Sequence, residues 1–192
     1  MQNYKHILDL FAEVGMLKRT RRSGWWVIGV PDVESVAEHS FRCAIVAYFL
    51  AKMEGVEPYR VVMMALFNDI HEARIGDLHK VGHRYIDFSK AEKEAFVGQI
   101  NRLPSGIKNE LVDLRVDYDL QKTTEALIAR DADILECLIQ AKEYQEHGFS
   151  GAERFFKKAP NFLKTKSAKN LWKTAKVWSS HAWWERLSTF KR

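Results

Sequence analysis

The chain has 192 residues, 46% hydrophobic and 29% charged, which suits one well-buried domain and excludes a low-complexity or fibrous protein. Cys43 and Cys137 are too few and too far apart for a disulfide framework, and no apolar run reaches the about 18 residues of a membrane-spanning helix. The net charge of +5 is concentrated at one end: residues 161–192 hold eight Lys or Arg against Glu185 alone, a local +7 that leaves −2 for the rest.

Apolar residues recur almost everywhere at helical spacing, so an all-α chain is expected. Ile7, Leu10, Phe11, Val14 and Leu17 form the first stripe, which ends at the basic turn KRTRRSG where Gly24 breaks the pattern. The run WWVIGV at 25–30 carries the one strand-like alternation. Pro31 and Asp32 lead into a second helix over about 33–54, with Phe41, Ala44, Ile45, Tyr48 and Phe49 expected inward. Gly55 stops it, and Pro58 suits the first turn of a third helix that runs to about Gly76, a residue fit for a left-handed cap. The polar stretch DLHKVGHRYIDFSK at 77–90 is long for a bundle loop and is a candidate lid. Helices follow over about 90–103, 104–116 and 122–147, the last closed by Gly148, and a basic, Trp-rich helix spans about 165–187. No repeat or linker divides residues 1–192. No basic-then-apolar leader opens the sequence, so a cytoplasmic protein is expected.

Polar residues emerge from core-like sequence at three separated places. His39 sits in ESVAEHSF, Asn68 and Asp69 follow the apolar MMALF, and Asp133 lies in ARDADILECLI. Groups of this kind are costly to bury unless paired or bound to metal, and three helices can bring them together inside a bundle. Taken one at a time, a core histidine with a hydrogen bond and carboxylates paired with Arg74 or Arg130 would explain them better than metal binding does.

The order His39, then Asn68-Asp69 with Glu72 and Gly76-Asp77, then Asp133 resembles the HD-domain metal-dependent phosphohydrolases, in particular their 5'-deoxynucleotidase subgroup. ESVAEH, the D-x-x-E-x-x-x-G-D spacing from Asp69 to Asp77, DADILE and RRSGWW carry the likeness over residues 5–147. The resemblance implies an HD-type helical bundle that holds a divalent ion through His39, residue 68, Asp69 and Asp133. It makes Glu72 and Asp77 the catalytic carboxylates and places Arg22 and Trp25 at the nucleotide-binding mouth. The implied reaction is removal of phosphate from a nucleoside 5'-monophosphate, with Mn²⁺, Co²⁺ or Mg²⁺ as cofactor. A phosphodiesterase or triphosphohydrolase using the same site is the enzymatic alternative.

The chemistry suits those roles. Glu72 lies one turn beyond Asn68, where it can orient water or take its proton. Asp77, just past Gly76, can protonate a leaving alkoxide. The planar fork of Arg22 matches a phosphate, and Trp25 offers a ring face. The family carries His where this chain has Asn68, whose carbonyl oxygen is a harder ligand suited to Mg²⁺ or Mn²⁺. His71 does not replace it simply, because at about 100° per residue it points roughly 160° away from Asp69 on a straight helix. His79 and His83 read as surface residues.

The Trp-rich end mixes cations with Trp172, Trp178, Trp183 and Trp184. Trp172, Ala175, Trp178 and Ala182 share a helical stripe, which favours core packing or a homodimer over nucleic-acid binding. A non-catalytic HD-fold module with a weakened metal site is the alternative from outside enzymology.

Overall fold

A computed structural model describes residues 4–188. Residues 1–3 and 189–192, including Lys191 and Arg192 of the basic end, lie outside the described residues. The architecture is helical: α1 (Tyr4–Val14), α2 (Ser23–Trp26), α3 (Val36–Glu54), α4 (Pro58–Phe67), α5 (Glu72–Ile75), α6 (Phe88–Ile100), α7 (Ser105–Leu120), α8 (Thr124–Glu146), α9 (Glu153–Lys158), α10 (Lys166–Ala175) and α11 (Ala182–Leu187). No described helix is long and apolar enough to cross a membrane. WWVIGV is not a strand: Trp25 and Trp26 belong to α2, and Gly29 turns the chain at φ 82°. The isolated bridge among the described residues joins Arg21 to Ser35.

The long helices begin where the sequence supplies caps. At the start of α3 the Ser35 side chain accepts from Glu38 N–H while the Glu38 carboxylate accepts from Ser35 N–H, a reciprocal box. Thr123 and Thr165 cap α8 and α10 more simply, each side chain accepting one backbone N–H. Gly55 closes α3 in the left-handed region.

Helices α3, α4 and α8 form the centre, and small residues let them approach closely. Ala47 and Ala51 of α3, Ala65 of α4 and Ala126, Ala129 and Ala132 of α8 are all buried. This packing overturns the expected inward face of α3. Its buried side is Val36, His39, Ser40, Cys43, Ala47, Leu50 and Ala51, whereas Phe41, Ile45, Tyr48 and Phe49 are exposed. A bulkier aromatic face would hold the three axes apart.

The third helix is also shorter than expected. α4 ends at Phe67, and successive N–H groups of Glu72, Ala73 and Arg74 bond back to the carbonyls of Asp69, Ile70 and His71, three residues away rather than four. The overwound turn rotates Asp69 and Glu72 into the interior before Gly76, at φ 75°, ends α5. The Trp-rich end likewise divides into α10 and α11. Trp172 and Ala175 are buried in the core, but Trp178, Trp183 and Trp184 are exposed, so the expected stripe stops where α10 stops.

Candidate metal centre

Three helices and one turn deliver the site. α3 contributes His39, the turn after α4 contributes Asp69, α5 begins with Glu72, and α8 contributes Asp133 and Glu136. His39 Nε2 lies 3.5 Å from Asp69 Oδ2 and 3.3 Å from Asp133 Oδ1. Its other ring nitrogen, Nδ1, is engaged by Glu136, which is fully buried. Arg42 holds the opposite carboxylate oxygen of Glu136 through Nε at 2.9 Å, and donates to Gln140 and Glu143 as well. The imidazole is thereby fixed with Nε2 facing the two aspartates.

Sequence reasoning assigned no role to Glu136. The signal was present, since it stands three residues after Asp133, one helical turn along a core-facing stripe. Glu34, His39 and Glu136 also offer ligand atoms within 4.8 Å of one another. That side is already satisfied, because Glu136 is neutralised by Arg42 and Glu34 accepts from Trp25 Nε1 at 2.9 Å. The Nε2 side is therefore the better candidate for a cation.

The electrostatics point the same way. Burial pushes the Glu72 carboxyl well up, and the charges of Asp69 and Asp77 push it further. Glu72 Oε2 is buried without a hydrogen-bond partner. Burial would also raise Asp133, but hydrogen bonding to His39 and the charge of Arg130 hold it well below the usual carboxylate range. Burial and Arg22 lower the proton affinity of His39, yet Glu136 and Asp133 outweigh them and lift it to about 10. Glu34, desolvated and facing Glu136, rises to about 7. One imidazole nitrogen and two carboxylate oxygens, with a further acid left unpartnered beside them, form a donor set that fits a divalent cation.

The remaining expected residues divide. Asn68 stands beside the three converging groups, and its Nδ2 donates to Asp69 Oδ1 at 2.7 Å, which holds that carboxylate in place. His71 is buried and turned toward Glu92 at 3.5 Å, away from Asp69. Arg22 reaches the centre, 3.7 Å from Asp69 Oδ2, positioned by its backbone N–H on the Glu34 carbonyl. Asp77 accepts from Ser23 N–H at 2.5 Å, tying the end of α5 to the Arg22 turn. Trp25 corrects the expectation of a stacking face. It is 2% exposed and packed against Tyr144 and Phe155, so its rings are covered and it anchors the Arg22 turn from beneath. His79 and His83 serve the 77–87 segment itself, through Gly82 N–H and the Leu78 carbonyl.

The sequence model described as HD domain matches residues 14–175, which takes in every residue of this centre. The chain belongs to the HD domain family. Among its HD relatives, the 5'-deoxynucleotidase HDDC2 of Dictyostelium discoideum is 33% identical over 156 residues, 76% of this chain and 80% of the relative. The human 5'-deoxynucleotidase HDDC2 is 31% identical over 143 residues, 74% of this chain and 70% of the relative. Among solved structures, a conserved hypothetical protein from Pyrococcus furiosus superposes with a TM-score of 0.73 at 30% identity, covering 88% of this chain and 96% of that one. The HD phosphohydrolase of cyanophage S-2L, solved with dA and one catalytic Zn²⁺ ion, shares the fold at a TM-score of 0.60 and 14% identity, covering 86% of this chain and 95% of that one.

Proposed function

We propose that this protein is a metal-dependent phosphohydrolase that removes phosphate from nucleoside 5'-monophosphates, deoxyribonucleotides in particular. The observation that carries the reading is the convergence of His39 Nε2 with Asp69 and Asp133, beside the buried, unpartnered Glu72. The names of the Dictyostelium and human relatives support the substrate class, as does the nucleoside in the cyanophage structure.

His39, Asp69 and Asp133 would hold the ion. When bound, a divalent cation supplies a Lewis acid for phosphate oxygen and lowers the pKa of water. The chain does the rest. Arg22, charged and close to Asp69, offers paired N–H donors to the phosphate. Glu72 Oε2, with its proton affinity raised, is suited to take a proton from attacking water. Asp77, fixed by Ser23 N–H, stands on the Arg22 side and is assigned to the leaving oxygen. Mn²⁺, Co²⁺ and Mg²⁺ are the candidate ions, and Asn68 in place of a histidine removes a nitrogen donor, which favours the harder Mn²⁺ and Mg²⁺ among them. A cytoplasmic location and a homodimer complete the proposal.

The test is phosphate release from a panel of deoxyribo- and ribonucleoside monophosphates by the purified chain with each ion, against an Asp69→Ala control. Metal-stimulated release of nucleoside and phosphate is expected. No release above the control would overturn the proposal. The hydrogen bond from Asn68 to Asp69 also favours a second reading, a binding module with a weakened site. In that case the native chain is inactive and Asn68→His restores both metal binding and turnover.

A further inference from the structure

The stretch from the end of α10 through α11 carries apolar surface that the chemistry above does not use. Val177, Trp178, Trp183, Trp184 and Leu187 are all exposed, Val177 at 89% and Leu187 at 78%. The stretch is nonetheless pinned to the body. Ser180 donates through its N–H and its hydroxyl to Glu146 at the end of α8, and the His181 ring lies against His147 at 5.2 Å. A docked segment that turns three indoles outward forgoes the burial each ring offers, and such a patch marks an interaction surface.

The surrounding charge selects what covers it. Lys166, Lys169 and Lys173 of α10 and Lys176 at its end are exposed. At about 100° per residue they fall within an arc of roughly 80°, turned away from the buried Ser167, Ala168, Trp172 and Ala175. No acidic residue occurs between positions 161 and 184. In α11, Trp183, Leu187 and Trp184 share an arc of roughly 100°, and Glu185 lies about 100° or more from each of them. Apolar side chains thus follow directly on a row of lysines, and the one acid nearby points elsewhere. We propose that the lysine row of α10 and residues 177–187 form a docking surface for lipid bilayers rich in anionic headgroups, with the lysines at the headgroups and the Trp, Val and Leu side chains inserted shallowly beneath them.

The make-up of the patch separates a bilayer from other anionic or apolar partners. Bases of a nucleic acid stack on aromatic rings and gain little from Val177 and Leu187, whereas acyl chains accept aliphatic and aromatic side chains alike. Trp residues settle at the level of the headgroups, where one edge of the indole is wet and the rest is apolar. Interfaces between proteins are depleted in lysine, and a second copy docked on this surface would bring two lysine rows to one interface. A negatively charged leaflet attracts each lysine instead, and the attraction adds along the row.

Co-sedimentation of the full chain with vesicles tests the proposal, with circular dichroism to confirm that each variant is folded. Vesicles of phosphatidylcholine alone are compared with vesicles containing about 30% phosphatidylglycerol, and binding to the anionic ones is expected to be at least ~10-fold tighter. Raising NaCl from about 0.1 M to about 0.5 M is expected to weaken it by a similar factor. Trp183→Ser with Trp184→Ser, and separately Lys169→Gln with Lys173→Gln, are each expected to lower the partition coefficient at least ~10-fold. Indole fluorescence of the wild type should be quenched by lipids brominated near the headgroup end of the acyl chain, and much less so in the Trp double variant. Val97→Ser, at an exposed position of α6, is the control and should bind as the wild type does. A wild type that does not sediment with anionic vesicles would overturn the proposal, as would equal binding to neutral ones or a Trp double variant that binds undiminished. Salt-sensitive binding of a single-stranded oligonucleotide without vesicle binding would also overturn it and assign the surface to nucleic acid. Phosphatase activity enters none of these measurements.

Discussion

Glu136 carries more of the site's geometry than any other residue outside the candidate ligands. It is fully buried, engages His39 Nδ1 through one oxygen, and receives Arg42 Nε at 2.9 Å and Nη2 at 2.8 Å through the other. Replacing it with alanine strands a buried imidazole N–H and takes one partner from Arg42. Breaking a buried pair from one side costs about 3–5 kcal/mol. Arg42 keeps Glu143 and Gln140 and has a 30% exposed side chain, which reduces the expected loss to about 2–4 kcal/mol. For a chain of this size that corresponds to a fall in Tm of about 4–16 °C.

Glu136→Gln separates stability from site geometry. It keeps the shape and an acceptor for His39 but loses the charge that fixes the imidazole, so it should destabilise less than alanine and still weaken metal binding about 10–100-fold. Titration calorimetry with Mn²⁺ and thermal denaturation, applied to both variants, measure the two effects. A Glu136→Gln protein that binds Mn²⁺ as tightly as wild type would refute the orienting role. An alanine variant with unchanged Tm would refute the energetics.

Two further predictions concern the frame. Asp131 is fully buried and accepts Lys164 N–H at 2.9 Å and Thr165 N–H at 2.6 Å, where the chain enters α10. Asp131→Ala should cost about 2–4 kcal/mol in urea unfolding, with loss of hydrogen-exchange protection concentrated in α10, and an unchanged midpoint would contradict this. Burial raises the proton affinity of Glu13, but hydrogen bonds from Arg74 and Gln99 and the charge of Arg74 more than offset it, leaving its pKa below the ordinary 4.5. A carboxylate with a lowered folded pKa contributes stability fully above its unfolded pKa and loses that contribution as pH falls through the folded value. Glu13→Gln should therefore destabilise by up to about 1 kcal/mol at neutral pH, and by progressively less in unfolding experiments below pH about 4.5. A difference that does not depend on pH would show that the charge is not the source.

The sequence by itself determined the helical class, most helix starts and stops, and the order of the site residues. These depend on local chemistry: Gly55 stops α3 in the left-handed region, Pro58 fits the first turn of α4, and an acid emerging from apolar sequence must be compensated. Tertiary structure decided which face of α3 is inside. The aromatic and the alanine-containing faces both have helical periodicity, and only the close approach of α4 and α8 selects the smaller side chains. It likewise turned Trp25 from an exposed ring into a buried anchor, made Asn68 a donor to Asp69, and gave Glu136 its hold on His39. Each of those outcomes depends on groups far apart in sequence, Glu136 and His39 being 97 residues apart. Periodicity reports how a segment folds on itself, whereas the partner of a buried polar group is fixed only when the helices pack.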